Sequence, residues 1–141
     1  MRAAWIWLVL VATAIFSACS RGPAPPKRGT LAGKVTLNGK PVASGLVRFM
    51  ALDPSAVNVV AQVKDGQYNL PAEQGPTKGK YRVEFSVPST TKQRVPNDDV
   101  PGTFMEIAPE TLPPRYHRDS KITIDYDPDQ TQSHDFQLTT P

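Results

Sequence analysis

The chain changes its hydrophobic rhythm near Gly29. Before that point, the sixteen residues from Ala3 to Ala18 carry no charge and show no alternation. After it, apolar and polar residues alternate in short runs broken by Gly, Pro, Asn and Asp. Alternation with a period of two is the pattern of a half-buried β-strand. In GTLAGKVTL, Leu31, Val35 and Leu37 share one face, and Thr30, Lys34 and Thr36 the other. In LVRFMAL, Val47 and Phe49 are expected in the core, with Leu46, Met50 and Leu52 opposite, which predicts a strand covered on both faces. KYRVEFSV alternates most cleanly: Tyr81, Val83, Phe85 and Val87 point one way, Arg82, Glu84 and Ser86 the other. KITIDYD and SHDFQL end the series, with Ile122, Ile124, Tyr126, Phe136 and Leu138 inward.

Turn chemistry sets the punctuation. Asn38-Gly39 and Asp65-Gly66 are residue pairs that tolerate the positive φ of tight hairpin turns. The second joins AVNVVAQVK to QYNL and should place Val63 opposite Tyr68 and Lys64 opposite Gln67. Pro41 is expected to end pairing after the first turn. About seven short strands separated by such signals predict an all-β fold, an antiparallel seven-strand β-sandwich. After residue 20 no stretch sustains a helical period clear of Pro or Gly; the chain holds 15 prolines and 9 glycines in 141 residues. A domain over 29–139 can bury about 65% of its unfolded surface. Only residues 88–114, a Pro-rich stretch with six prolines, resist this reading. Structureless loops of that length are uncommon, and are functional or disordered where they occur. Cover over a sheet edge, a disordered insert and a binding loop are the three readings.

The opening segment has a different chemistry. Arg2, an apolar stretch and the small residues Ser17 and Ala18 form the three-part layout of a secretory signal. A spanning helix needs about 20 apolar residues, so this stretch is short for one. Phe16-Ser17-Ala18-Cys19 resembles the lipobox of bacterial lipoproteins, in which cleavage precedes a cysteine whose thiol takes a diacylglycerol. Ser17, Ala18 and Cys19 fit the pattern; Phe16 stands where an aliphatic residue is usual. Simple secretion and an uncleaved anchor are the alternatives. Cys19 is the only cysteine, so no internal disulfide can form, and lipidation accounts for it. Residues 1–18 are thus read as a signal peptide, and 19–28 as a lipidated cysteine and Pro-rich tether. A polyproline II tether of nine residues reaches roughly 28 Å. Arg21, Lys27 and Arg28 are either plain linker residues or contacts to anionic lipid.

The ordered run GKVTLNGKPV, VRF, KDGQYNL, GKYRVEFSV, LPPRYHRDSKITIDY and HDFQL resembles transthyretin-like, carboxypeptidase-regulatory-like domains of small bacterial lipoproteins. The resemblance spans residues 29–138. Gly39-Lys40-Pro41, Asp65-Gly66-Gln67-Tyr68 and Gly79-Lys80-Tyr81 carry most of it. It implies a prealbumin-like (Ig-like) β-sandwich.

Charge and candidate chemistry narrow the function classes. With 16 basic and 13 acidic residues the formal charge is +3, too small for a nucleic-acid footprint. Asp125, Asp127 and Asp129 alternate as in a calcium loop, but Gln130 stands where Gly belongs and Phe136 where the twelfth-position Glu belongs. Asn97, Asp98 and Asp99 form a second weak oxygen cluster. His117 and His134 lack zinc-ligand spacing. No G-x-S-x-G elbow occurs. Transthyretin-related hydrolases end in Tyr-Arg-Gly-Ser, whereas this chain ends Leu-Thr-Thr-Pro. An isopeptide bond would draw on Lys34, Glu84 and Asp135, yet all three are expected to face away from the dry interior such chemistry needs. Trp5 and Trp7 both fall in the signal, so a carbohydrate platform would rest on Tyr116 or Tyr126. The expectation is a non-catalytic, membrane-anchored lipoprotein of the bacterial cell envelope, exported and facing the periplasm or cell surface. Its membrane contact is the lipid on Cys19. Its other partner is a protein or the cell surface, with no nucleic acid, metal or cofactor. A glycan-binding module is the alternative.

Overall fold

The computed structural model describes residues 24–130 and 132–140. The signal segment 1–18 and Cys19 lie outside the described residues. The fold is all-β, and its strands are β1 Leu31–Leu37, β2 Lys40–Pro41, β3 Ser44–Ala51, β4 Val59–Lys64, β5 Gln67–Leu70, β6 Gly79–Ser86, β7 Gln93–Pro96, β8 Phe104–Ile107, β9 Thr123–Tyr126 and β10 Phe136–Leu138. All seven strands expected from the alternation are present. The additions are the two-residue β2 and the pair β7–β8, which lies inside the stretch expected to be a loop. Pro41 does not stop the ladder: it stands opposite Thr36, and Val42 N–H closes onto the Val35 carbonyl at 3.1 Å. Proline is tolerated there because the Thr36–Pro41 pair is a non-hydrogen-bonded one, so the missing N–H would face away from β1.

Eight strands form one sheet in the order β10-β1-β5-β4-β3-β6-β9, with β2 beside β1. Pairing is antiparallel except between β1 and β10, which run parallel with Val35 opposite Phe136. The sheet curls, and its two ends meet across the core. The Tyr126 hydroxyl on β9 donates to the Thr30 carbonyl at the start of β1, 2.8 Å away. Phe85 on β6 packs edge-on against Phe136 on β10, with ring centroids 5.0 Å apart. Both turn pairs adopt the expected geometry, with φ of 51° and 78° at Asn38-Gly39 and 50° and 74° at Asp65-Gly66. The hairpin register is also as expected, Val63 on Tyr68 and Lys64 on Gln67.

The core is continuous and aromatic at its centre. Phe49, Tyr68, Phe85 and Phe136 form a chain of ring contacts, and Val47, Tyr81 and Val83 are fully buried around it. Burying a tyrosine leaves its hydroxyl to be satisfied. Tyr68 donates to His134 O at 2.7 Å. Tyr81 donates to Thr77 O at 2.8 Å and accepts the Thr77 N–H at 3.1 Å. Among the described residues no buried side-chain nitrogen or oxygen lacks a partner. Gly33 lets the segment before β10 cross closely, since a Cβ there would lie 1.9 Å from His134 O. One expectation fails: β3 is not covered on both faces, for Leu46 and Leu52 are exposed. Among the described residues no second layer packs over them, although Met50 on the same face is partly buried.

Candidate functional site

Of the carboxylates in DYDPDQ, that of Asp127 closes a turn. The Asp127 side chain accepts the Asp129 N–H at 3.0 Å and pairs with Lys78 at 2.9 Å. Those contacts hold its carboxyl below the ordinary aspartate value, led by the Asp129 N–H bond. Asp129 pairs with Lys27, and Asp125 is exposed on β9 opposite Lys80. Asn97 likewise caps a turn, accepting the Asp99 N–H at 3.0 Å. Among the described residues no group of three or more His, Cys, Asp or Glu is placed to hold a metal ion.

The other sequence candidates are also dispersed. His117 contacts the Leu112 carbonyl at 3.2 Å, and His134 contacts Gln132 at 3.3 Å. Burial lowers the His134 pKa, opposed by Asp135. Glu84 is held by Arg82 through bonds of 2.7 and 3.1 Å, whereas Asp135 accepts the backbone N–H of Lys34 at 2.8 Å. Glu84 is thus committed to Arg82 on β6, away from Lys34 and Asp135, and Asp135 meets Lys34 through the backbone N–H. Tyr126 is buried. Tyr116 is half-buried, its hydroxyl accepting the Thr139 N–H at 3.0 Å and its ring lying under Arg115. Neither tyrosine offers an open platform. Lys27 and Arg28, at the end of the proline-rich stretch, are docked on the domain: Lys27 pairs with Asp129, and Arg28 bridges to Thr77.

What the structure does assemble is an arm. Strands β7 and β8 pair only with each other, with Val95 opposite Met105 and Pro96 opposite Phe104. Val95, Met105 and Ile107 share one face, and Arg94 and Phe104 the other. Four of the seven exposed large apolar side chains described lie on it or at its tip: Val100 (50%), Phe104 (56%), Met105 (41%) and Ile107 (39%). Two contacts tie the arm's strands together, with the Arg94 guanidinium 4.5 Å from the Phe104 ring centroid and Lys92 paired with Glu106 at 3.3 Å. Gly102 at φ 84° and Thr103, bonded to Val100 O, shape the tip.

The root of the arm is braced. The Glu110 carboxylate accepts N–H groups of Val87 (2.8 Å), Thr111 (3.0 Å) and Leu112 (3.1 Å) and the Ser86 hydroxyl (2.7 Å). Burial pushes the Glu110 carboxyl up, but the bonds from Ser86, Val87 and Leu112 and the neighbouring His117 outweigh it, leaving its pKa below the ordinary glutamate value. Thr111 closes the root onto Val87 O, and Leu112 is buried in the core. Beside the root an open cleft of about 570 Å³ runs between the β1–β2 turn and Val87–Thr90. Exposed apolar side chains on both faces and at the tip of a braced projection are surface open to a partner. A binding loop is one of the three sequence readings of residues 88–114, and none of the three includes strands. The trace the sequence carries is the apolar content at Phe104, Met105 and Ile107.

No family model matches the chain, and no curated protein does. Among solved structures, the crystal structure of a 9R-lipoxygenase from Cyanothece PCC8801 is similar at 12% identity over 82% of this chain and 17% of that one, with a TM-score of 0.34. The chain thus spans about a sixth of that protein's length, and a likeness so slight carries no argument about activity.

Proposed function

We propose that this chain is a non-catalytic lipoprotein of the bacterial cell envelope whose β-domain binds a protein partner through the β7–β8 arm. The observation that carries the reading is the arm, with four exposed apolar side chains on a root fixed by Glu110. Proteins seldom expose such a cluster without a use for it. The transthyretin-like sandwich suggested by the sequence is supported by the seven alternating strands around one core. The Tyr81–Thr77 bond supports it further, because a tyrosine near a strand start, bonded to the backbone a few residues upstream, is a corner device of β-sandwiches.

Anchorage rests on the sequence around Cys19. Acyl chains contribute ~0.8 kcal/mol per buried CH₂, so two or more anchor stably. With Lys27 and Arg28 docked on the domain, the linker that spans from membrane to domain is the stretch before them. The mature chain should carry lipid on Cys19, lack the tryptophan emission of Trp5 and Trp7, and leave the membrane on Cys19→Ser. Tryptophan emission from the membrane-bound form would instead mean that an uncleaved helix holds it. For the arm, photocrosslinkers placed at Phe104 in intact cells should capture one protein species, and at the buried Val83 none.

A further inference from the structure

A second surface lies apart from the arm. An open groove of about 740 Å³ crosses the outer face of β1, β5 and β4, bordered by Ser133 and Asp135. The strand register places Lys34, Gln67 and Lys64 in a single row, because Gln67 pairs with both lysines. Two inter-strand steps separate the lysines, about 9.6 Å between backbones. Asn69 lies beside Ala32 in the next outward-facing row, and Gln62 completes the lining there. The small Ala32 side chain leaves depth in the groove. Neither lysine is in an ion pair among the described residues. The one acid in the lining, Asp135, has one carboxylate oxygen on the Lys34 N–H at 2.8 Å. The ring of Tyr68 is buried, and its hydroxyl is committed to His134 O.

We infer that this groove binds an acidic polysaccharide, a polymer of hydroxyl-bearing sugars with regularly spaced carboxylates. The two ammonium groups are the only strong anion partners in the lining, and they sit on one line with an amide between them. Amides of Gln62, Gln67 and Asn69 both donate and accept, as sugar hydroxyls require. The outer oxygen of Asp135 accepts a hydroxyl, which each uronate ring presents twice beside its carboxylate and a ribonucleotide strand offers only at the 2′ position. With no exposed ring for stacking, recognition depends on hydrogen bonds and charge, so a neutral glucan gains little. Binding should weaken with salt, since both lysines are exposed.

The test is affinity electrophoresis of the full Cys19→Ser chain in gels containing polygalacturonate, dextran or polyuridylate. Polygalacturonate should retard the chain and the other two should not. Lys34→Ala or Lys64→Ala should each weaken retardation roughly tenfold, the loss of one charge-assisted hydrogen bond, while Phe104→Ser leaves it unchanged. Absence of retardation by polygalacturonate would overturn the proposal. So would equal retardation by polyuridylate, which would mark general anion binding, or equal retardation of the lysine variants. Because Phe104→Ser reports on the arm alone, failure here leaves the arm's role standing, and failure of the arm leaves the groove's.

Discussion

The curled sheet and the β7–β8 arm are built from similar residues and put them to opposite use. In the sheet, Phe49, Phe85 and Phe136 are buried against one another and against Tyr68. In the arm, Phe104 and Met105 have no such cover, and Phe104 meets only the Arg94 guanidinium among aromatic and cationic contacts described. Both regions are two-dimensional ladders, so backbone hydrogen bonding does not separate them. What separates them is a second side: the sheet curls and supplies its own, whereas the arm has none. Burial of apolar area stabilises the first; the second leaves its apolar side chains exposed among the described residues. The arm keeps its place because its root, not its strands, is fixed by Glu110 and Leu112.

The contrast can be broken at graded positions. Phe49→Ala should cost about 3–5 kcal/mol in urea unfolding, by loss of transfer energy and a cavity among the rings. Phe104→Ala should stay within about 0.5 kcal/mol of the parent, as for exposed positions; an equal loss at both would mean that the arm is part of the core. Tyr81→Phe should cost roughly 1–3 kcal/mol, since it removes the three contacts to the Thr77 N–H, carbonyl and hydroxyl and leaves buried backbone groups unsatisfied.

Smaller effects sharpen the account of the root. Glu110→Ala should speed amide exchange in β7 and β8 while β3 and β4 keep their protection. Acid should do the same to the parent. The Glu110 pKa lies below its unfolded value, so its stabilisation is complete above that value and fades as pH falls through the lower folded one. Protection of the arm amides, corrected for the intrinsic pH dependence of exchange, should therefore fall as pH drops below the ordinary glutamate value, and Glu110→Gln should show no such step. Protection in β3 and β4 that fell together with the arm in Glu110→Ala would show that arm and sheet unfold as one unit.

Legibility in the sequence followed the same division. Each of the seven strands that faces the core left a period-two trace, and the turn pairs at Asn38-Gly39 and Asp65-Gly66 announced themselves through residues that accept positive φ. QRVP and FMEI left no such trace because both faces of the arm meet water, so nothing selects an alternation, and the prolines around them read as loop. The outer face of β3 misled in the other direction: Leu46 and Leu52 look like core residues, but burial depends on a covering layer that local pattern does not report. The groove was illegible for a third reason. Lys34, Gln67 and Lys64 become one row only when β1 pairs with β5, a contact between strands far apart in the chain. Asp125, Asp127 and Asp129 already fail the calcium pattern in the sequence, whereas Lys78 and Lys27, the partners of Asp127 and Asp129, come to them only through the fold.

The central claim is that the arm, and not the sheet, is where a protein partner binds. The direct measurement is in-cell photocrosslinking of the lipid-anchored chain, comparing the parent with Phe104→Ser/Met105→Ser and with the crosslinker at Ile107. The account predicts one crosslinked species for the parent and its loss in the double variant, with the far-ultraviolet spectrum and urea midpoint unchanged. The same crosslinked species in equal yield from the folded double variant would contradict it.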